Sequence, residues 1–310
     1  MTNSKACILC LGNFDGVHIG HQALFERALV EQKRFGEVSS HERTPSGIAV
    51  PSCGALTFSE PTYKYLKKDP PPRITTSAER ERLIREAGMQ FVASLNFAEI
   101  RDMSPEAFVR DVLIGQFGCV MTVCGYNYRF GRGGAGDSAL LSELMGGRSV
   151  TVPPVLVGDT PVSSTAIRAA VISGDMETAN GMLGRVFRVE GTVLHGHGVG
   201  AKLGFATVNQ HFTPGFLVPA RGVYASRCIV DGQSYPAVSN VGCRPTFSDG
   251  DEVLCETHIL GRSIDLYGRE IATELYHLLR PERKFDSPES LRVAVMHDID
   301  SAAQYFGVRC

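Results

Sequence analysis

Two histidines lie three residues apart, just after the first apolar segment of the chain. Residues 11–21 read LGNFDGVHIGH, which places His18 and His21 in a turn that also contains Gly12, Gly16 and Gly20. A glycine-rich turn that opens a helix lets backbone amides approach an anion, and the helix dipole favours negative charge there. Both imidazoles can donate hydrogen bonds to the same phosphate oxygens. The turn therefore predicts a phosphate site, against the plainer alternative of two histidines that cap a helix.

A second group of polar side chains occurs at residues 162–168, which read VSSTAIR. Ser163, Ser164 and Thr165 offer hydroxyl and amide donors at a helix start. Arg168, one turn further on, offers a forked cation that suits phosphate oxygens. A serine-rich helix start is also an ordinary N-cap. The arginine that follows it favours a phosphate site.

The elements that must position these residues alternate between short apolar runs and amphipathic segments as far as about residue 172. This alternation is typical of a parallel sheet with crossover helices. A Ser104-Pro105 pair marks one helix start, and the proline-rich stretch 61–73 predicts a loop. We expect strands at 6–11, 54–58, 91–95, 120–124 and 150–155, and helices at 21–35, 77–86, 104–117, 138–145 and 164–173.

After Gly184 the pattern changes to short β-branched or aromatic segments separated by Gly, Asp or Pro. Such segments predict an antiparallel barrel or sandwich. We expect an amphipathic helix at 287–306 and a domain boundary near 175–185, which gives domains of residues 1–180 and 184–310. The expected strands are 186–193, 222–230, 233–241, 254–260 and 270–279.

Taken together, these motifs resemble the bifunctional riboflavin kinase/FMN adenylyltransferase family of FAD synthetases. Residues 11–21 resemble its nucleotidyltransferase motif, and residues 123–131, followed by Gly136-Asp137, resemble its flavin-side loop. Residues 162–168 resemble its second nucleotide signature. The remaining similar stretches are 196–209, 240–247, 254–258, 265–268 and 279–285. The resemblance implies an N-terminal Rossmann-like nucleotidyltransferase domain with a parallel sheet, and a C-terminal six-stranded antiparallel β-barrel with a terminal helix.

The resemblance also implies roles for residues of the first half. His18, His21 and Arg168 would stabilise charge during adenylylation, and Asn127 would orient the flavin. The ATP-binding set that it implies is Gly12, Phe14, Asp15, Gly16, His18, His21, Ser163, Ser164, Thr165 and Arg168.

In the second half, the resemblance implies that Thr207 and Asn209 hold Mg²⁺ and ATP phosphates, an oxygen-donor set that suits this cation. Glu256 would be the general base for the riboflavin 5′-hydroxyl. From the residues alone, Glu256 faces either the barrel lumen or solvent. The glycine-rich flap would bind ATP through Gly198, Gly200 and Lys202.

Several positions depart from the family pattern. The kinase half has Ala206 and Val208 where relatives have proline and alanine, and Val199 and Ala201 where arginines are common. In the first half, Thr62 replaces a histidine and Pro161 replaces a basic residue. An adenylyltransferase with a weak or inactive kinase barrel is therefore one alternative, and a non-catalytic flavin-binding protein is another. A Rossmann dehydrogenase is disfavoured because the three glycines of the turn lack the G-x-G-x-x-G spacing.

Composition limits the partners. With 31 Lys and Arg against 33 Asp and Glu, the net charge of −2 gives no basic field for nucleic acid. No apolar run approaches the roughly 20 residues that span a bilayer. Nine scattered cysteines, including Cys7 and Cys10 in an apolar strand, indicate buried thiols and a cytoplasmic protein. We expect riboflavin, FMN and ATP as small-molecule partners, FMN and FAD as substrate and product rather than prosthetic groups, and no nucleic-acid or membrane partner. A weak homo-oligomer stays open.

Overall fold

Five parallel strands form the centre of the first of two units into which the chain divides, residues 1–164 and 165–310. The structure, a computed structural model, describes residues 6–41, 50–66, 68–194, 205–244, 252–262 and 264–308. The strands of the first unit are β1 Cys7–Leu11, β2 Ser52–Phe58, β3 Phe91–Leu95, β4 Cys119–Gly125 and β5 Ser149–Val152. This confirms the predicted parallel sheet.

The strand order is β3-β2-β1-β4-β5. The chain adds β2 and β3 on one side of β1 and then crosses to add β4 and β5 on the other, so the order reverses between β1 and β4. All five residues of β1 are buried because this strand is central and lies between β2 and β4. Ligands of open parallel sheets bind beyond the carboxyl ends of the strands at such a reversal. The fold therefore directs attention to the segments that follow Leu11 and Gly125.

Several helices of the first unit begin at recognisable caps. The Ser104 hydroxyl accepts a hydrogen bond from Ala107 N–H at 3.2 Å ahead of Pro105, as the Ser-Pro pair predicts. The helix that follows widens into a π-helix over Phe108–Gln116. The helices are α1 Ile19–His41, α2 Tyr63–Leu66, α3 Ser77–Glu86, α4 Phe97–Ile100, α5 Pro105–Ala107 and α6 Ser138–Leu144.

The stretch 61–73 is not entirely a loop, and in this respect the prediction is wrong. Helix α2 forms one turn within it. Lys64 N–H donates to the Pro61 carbonyl at 3.0 Å, and Tyr65 N–H donates to Thr62 at 3.0 Å. Proline lacks an N–H but keeps its carbonyl, so Pro61 can precede a helical turn that it could not continue.

The sheet of the second unit contains six antiparallel strands. After a small hairpin of the first unit, β6 Leu156–Val157 and β7 Thr160–Pro161, these strands are β8 Phe187–Thr192, β9 Val208–His211, β10 Gly222–Val230, β11 Gln233–Arg244, β12 Glu252–Ile259 and β13 Glu270–Pro281. Their order in the sheet is β8-β13-β10-β11-β12-β9. Leu194 N–H donates to the Asn209 carbonyl at 2.9 Å and links the two edges, which nearly closes the sheet into the predicted barrel.

The inner face of the barrel carries a chain of buried hydroxyls. Ser226 hydrogen-bonds Ser239 at 2.7 Å, and Ser239 hydrogen-bonds Thr257 at 2.8 Å. The chain continues through Thr273, which donates to Gln210 Oε1 at 2.6 Å. Because each hydroxyl finds a partner, the polar interior avoids the cost of unsatisfied buried groups.

The outer face of the barrel packs against the last helix. Helix α7 is Ser164–Ser173, α8 is Met176–Leu183 and α9 is Pro288–Phe306, which matches the predicted terminal helix. Buried Ile299, Ala302 and Ala303 of α9 lie in one apolar cluster with Val223 and Val238 of the barrel. None of the helices in the described ranges has the length and apolarity that a bilayer span requires.

Candidate functional sites

The turn after β1, residues 12–18, has an unusual backbone. Phe14 and Val17 adopt positive φ angles of 52° and 39°, and Gly16 adopts 86°. Such angles are unfavourable for residues with a side chain and persist only where surrounding contacts impose them. Gly12 N–H donates to the Leu56 carbonyl at 3.2 Å, so the turn starts as an extension of the sheet. We call residues 12–18 the phosphate turn, after its predicted role.

The structure brings His18 and His21 together at the end of this turn. Their rings stack with centroids 3.6 Å apart and an interplanar angle of 15°. The His21 N–H donates to the His18 carbonyl at 2.7 Å, which fixes their spacing at the start of α1. A Cβ on Gly20 would lie only 3.1 Å from His18 Nδ1, so glycine leaves room for the ring. His18 is 6% exposed, and His21 is half-buried.

Phe14 and Asp15, two members of the implied ATP-binding set, lie beneath the turn instead of on its surface. Phe14 is fully buried and meets the His21 ring edge-on at 5.2 Å. The Asp15 carboxylate, 3% exposed, accepts hydrogen bonds from Ile74 N–H at 3.0 Å, Thr75 N–H at 3.3 Å and the Tyr63 hydroxyl at 3.3 Å. Both side chains therefore support the turn from below.

Ser164, in the stretch 162–168, also contacts the phosphate turn. The Ser164 hydroxyl donates to the Asp15 carbonyl at 2.9 Å. Ser163 is half-buried and Thr165 is exposed beside it. Arg168 is 8% exposed and lies one turn into α7, within the second unit. The serine contact joins two motifs that are 149 residues apart in sequence.

Asn127 lies in the turn that follows β4, the strand next to β1. Tyr126 N–H donates to Val152 at 3.1 Å and Tyr128 N–H to Gly125 at 3.0 Å, which leaves the Asn127 side chain exposed. Since β1 and β4 are parallel neighbours, Asn127 and the phosphate turn leave the sheet at the same edge. This edge is where the strand order predicts a ligand.

Two contacts of Asn13 were not predicted from the sequence. The Asn13 amide donates to the Thr62 hydroxyl at 3.2 Å, so the residue that departs from the family pattern still binds the turn. The Asn13 carbonyl accepts from Arg80 Nη1 at 3.2 Å. Arg80 lies in the charged helix SAERERLIRE, whose pattern looks like a solvated face. Burial lowers the pKa of Arg80, and nearby Asp15 acts in the opposite direction by raising that pKa.

The thiols of the first unit are buried. Cys7 and Cys10 are 2% and 0% exposed. A hydrogen bond with Cys119 lowers the pKa of Cys7, whereas burial raises the pKa of Cys10 well above its ordinary value. Burial also raises the pKa of Cys124, at the end of β4, to about 11. The C-x-x-C pair thus packs in the core, as expected from its apolar strand.

The second candidate site lies on the outer face of the barrel. Glu256 of β12 pairs with Asn209 of β9 on one side and with Asn240 of β11 on the other. Paired residues share a face of a sheet, so the three side chains form a row. The next residue, Thr257, belongs to the inner hydroxyl chain, which places Glu256 on the opposite, outer face. The choice between lumen and exterior, left open by the sequence, is thereby resolved.

Asn209 has features of a cation ligand. It is 4% exposed, and among the described residues its Oδ1 has no hydrogen-bond partner. A buried amide oxygen without a donor fits a hard divalent cation, which prefers oxygen ligands. Thr207, two residues earlier, is half-buried. The flap residues Gly198, Gly200 and Lys202 lie outside the described residues.

Two of the positions that depart from the family pattern in the kinase half, Ala206 and Val208, are described in the structure. Neither belongs to the row formed by Glu256 and the two asparagines. Val208 pairs with Thr257 and contacts the apolar cluster of the barrel interior that includes Cys228 and Ile271. The Ala206 carbonyl lies 2.9 Å from Nδ1 of His258. Replacing the usual alanine with Val208 therefore adds volume to the barrel interior and leaves the outer face unchanged.

A doubly wound sheet with a histidine-bearing phosphate turn at its reversal point defines a nucleotide-binding α/β unit. The second unit of the same chain is a small barrel in which a carboxylate lies between two amides. Residues 1–166 match a family described as FAD synthetase, and residues 183–306 match one described as riboflavin kinase. The chain belongs to the bifunctional riboflavin kinase/FMN adenylyltransferase family.

Individual relatives agree with this assignment. The bifunctional riboflavin kinase/FMN adenylyltransferase of Pseudomonas fluorescens is 32% identical over 96% of this chain and 92% of its own length. The protein of that name from Escherichia coli K12 is 30% identical over 98% and 94%. A crystal structure from Streptococcus pneumoniae, described as a macrolide-efflux protein, aligns with a TM-score of 0.84 at 27% identity, covering 97% of this chain and 95% of that one.

Proposed function

We propose that this chain phosphorylates riboflavin to FMN with ATP and then adenylylates FMN to FAD with a second ATP, releasing pyrophosphate. The observation that carries the proposal is the stacked pair His18 and His21, on a strained glycine turn at the reversal point of the sheet. The same chain carries a barrel with Glu256 between two amides. Neither feature alone requires the other, and together they match the two family regions.

Adenylylation needs no protein nucleophile. An FMN phosphate oxygen attacks the α-phosphorus of ATP, and the bond to pyrophosphate breaks. His18 and His21 donate hydrogen bonds to the polyphosphate oxygens, where charge increases as pyrophosphate leaves. Arg168 supplies a forked cation for the ATP phosphates, and Asn127 orients the flavin. Phe14 and Asp15 act from beneath the turn, because both are buried there.

Phosphorylation of riboflavin uses the outer row of the barrel. Glu256 accepts the 5′-hydroxyl proton as that oxygen attacks the γ-phosphorus of ATP, and ADP leaves. Asn209 and Thr207 would hold Mg²⁺. This cation, when bound, would neutralise charge on the transferring phosphoryl group. Because Asn209 Oδ1 is already buried, little side-chain ordering is needed for binding.

An enzyme with adenylyltransferase activity alone is the nearest competing function. The departures in the kinase half motivate it, but Val208 faces the barrel interior, away from the Glu256 row. This orientation favours a working kinase. The net charge of −2 fits small-molecule partners better than nucleic acid. All eight described cysteines are free thiols, which suits the cytoplasm as the site of action.

The direct test incubates the purified chain with riboflavin, ATP and Mg²⁺ and resolves the flavins by chromatography. FMN should appear first and FAD after a lag, with ADP and pyrophosphate as the other products. Supplying FMN should remove the lag. FAD formation from FMN without any turnover of riboflavin would favour the adenylyltransferase alternative. Flavin binding without ATP consumption would refute both activities.

A further inference from the structure

A buried cation beneath the phosphate turn has no role in the reactions described above. Arg80 of α3 is 7% exposed, although arginine is among the residues least often buried. Its Nη1 donates to the Asn13 carbonyl at 3.2 Å and its Nη2 to the Phe58 carbonyl at 2.8 Å. Its pKa is lowered by burial, but a guanidinium remains charged in proteins. The charged guanidinium of Arg80 therefore donates to two neutral backbone carbonyls in the protein interior.

The two carbonyls belong to segments that follow neighbouring strands. The pairing of β1 and β2 ends with Leu11 opposite Leu56, and Gly12 N–H makes the last main-chain bond between them. Beyond that point the sheet supplies no partner for the Asn13 carbonyl. Thr57 Oγ1, at 3.1 Å, and Arg80 provide the donors instead. Arg80 thus connects the first residues of the phosphate turn to the end of β2.

The turn requires such support because of its backbone. Val17, a β-branched residue, has a φ of 39°, and Phe14 has a φ of 52°. Residues with such angles are unfavourable and persist only where neighbouring contacts hold them. Asp15 fixes the middle of the turn through Ile74 and Thr75, and Arg80 fixes its beginning. Together these contacts determine where the helix with His18 and His21 begins.

We propose that Arg80 is a positioning residue for FMN adenylylation, holding the phosphate turn so that His18 and His21 meet the nucleotide phosphates in the reactive geometry. We assign Arg80 this role instead of direct substrate contact because its guanidinium is buried and donates to two backbone carbonyls beneath the turn. The inference rests on the proposed function of the first unit. A displacement of reacting groups by about 1 Å can cost two orders of magnitude in rate.

The test compares Arg80→Met and Arg80→Lys with Arg82→Met in the full-length chain. Arg82 lies on the same helix but pairs with Glu86 at the surface, so it is the matched control. For Arg80→Met we expect the kcat of FAD formation from FMN to fall at least tenfold, with the KM for FMN within twofold of wild type. Arg80→Lys should lose about threefold or more, since one ammonium lacks the planar fork that serves both carbonyls. Arg82→Met should match wild type.

Riboflavin phosphorylation, measured on the same preparations, reports whether the barrel unit is intact and should stay within twofold, while the unchanged KM for FMN reports that the first unit is folded. If Arg80→Met is insoluble, Arg80→Lys decides the matter. A fall in kcat of less than twofold in the soluble variants would overturn the proposal, as would an equal loss in Arg82→Met or a parallel loss of the kinase reaction. Failure of wild type to form FAD would instead refute the proposed function itself.

Discussion

At the scale of single residues, the first candidate site contains side chains that hold the backbone of the turn as well as those proposed to face the nucleotide. The Ser164 hydroxyl donates to the Asp15 carbonyl, and the Asp15 carboxylate binds a different segment. Residues of the motif thus divide into the stacked pair proposed to meet phosphate, His18 and His21, and those that hold the turn. Sequence similarity alone does not separate these two groups.

The Ser164 contact gives a prediction for one hydroxyl. Ser164→Ala should lower the kcat/KM of FAD formation about fivefold, since a hydrogen bond contributes roughly 1 kcal/mol. Ser173→Ala is the matched control, because its hydroxyl donates to a carbonyl of the same helix at 2.9 Å. Steady-state kinetics with FMN and ATP measure the effect. Equal kinetics in the two variants would remove Ser164 from the account.

At the scale of elements, the sequence predicted regular structure well where the apolar pattern is strong. All five strands of the parallel sheet and the terminal helix were expected. Strand β9 was not, because its residues VNQH contain one apolar side chain and resemble a turn. Arg80 was missed for a related reason. Whether a charged helix residue faces solvent or a neighbouring loop depends on tertiary packing that local periodicity does not encode.

The last helix is attached to the barrel by an ion pair with a buried carboxylate. Arg280 Nη2 lies 2.7 Å from Asp298 Oδ2, and the Asp298 side chain is 5% exposed. Asp298→Ala should lower the free energy of unfolding by about 3–5 kcal/mol, because it leaves the guanidinium without its partner. Glu81→Ala removes the exposed pair with Arg85 and should cost about 1 kcal/mol or less. Urea unfolding compares the two, and similar losses would contradict the assignment.

The buried thiols make stability depend on alkaline pH. Burial raises the pKa of Cys53, Cys124 and Cys228 to about 11 and that of Cys255 to about 12. Thiols in the unfolded chain ionise near pH 8.5, whereas the buried thiols of the folded chain keep their protons to higher pH. Their contribution to the stability of the folded state is therefore complete below about pH 8.5 and is lost as the pH rises toward 11. Each thiol should reduce the free energy of unfolding by about 1.4 kcal/mol per pH unit in this range.

Urea unfolding at several pH values between 8 and 10.5 measures this slope. Cys228→Val keeps a similar side-chain volume. It should make the dependence of the free energy of unfolding on pH shallower by the contribution of one thiol. A free energy of unfolding that stays constant across this range would show that the thiols are not shielded as the structure indicates.

At the scale of the whole molecule, the chain carries two candidate sites that differ in side-chain chemistry. The first contains imidazoles on a strained turn, and the second contains a carboxylate between amides. Each has its own buried support, the Asp15 and Arg80 contacts in one and the inner hydroxyl chain in the other. The two reactions should therefore be separable by single substitutions.

One experiment with two variants tests that separation most directly. His21→Ala should convert riboflavin to FMN at the wild-type rate and accumulate it, with FAD formation reduced at least a hundredfold. Glu256→Gln should leave riboflavin unchanged yet convert supplied FMN to FAD normally. Normal FAD formation by His21→Ala, or normal FMN formation by Glu256→Gln, would contradict the account.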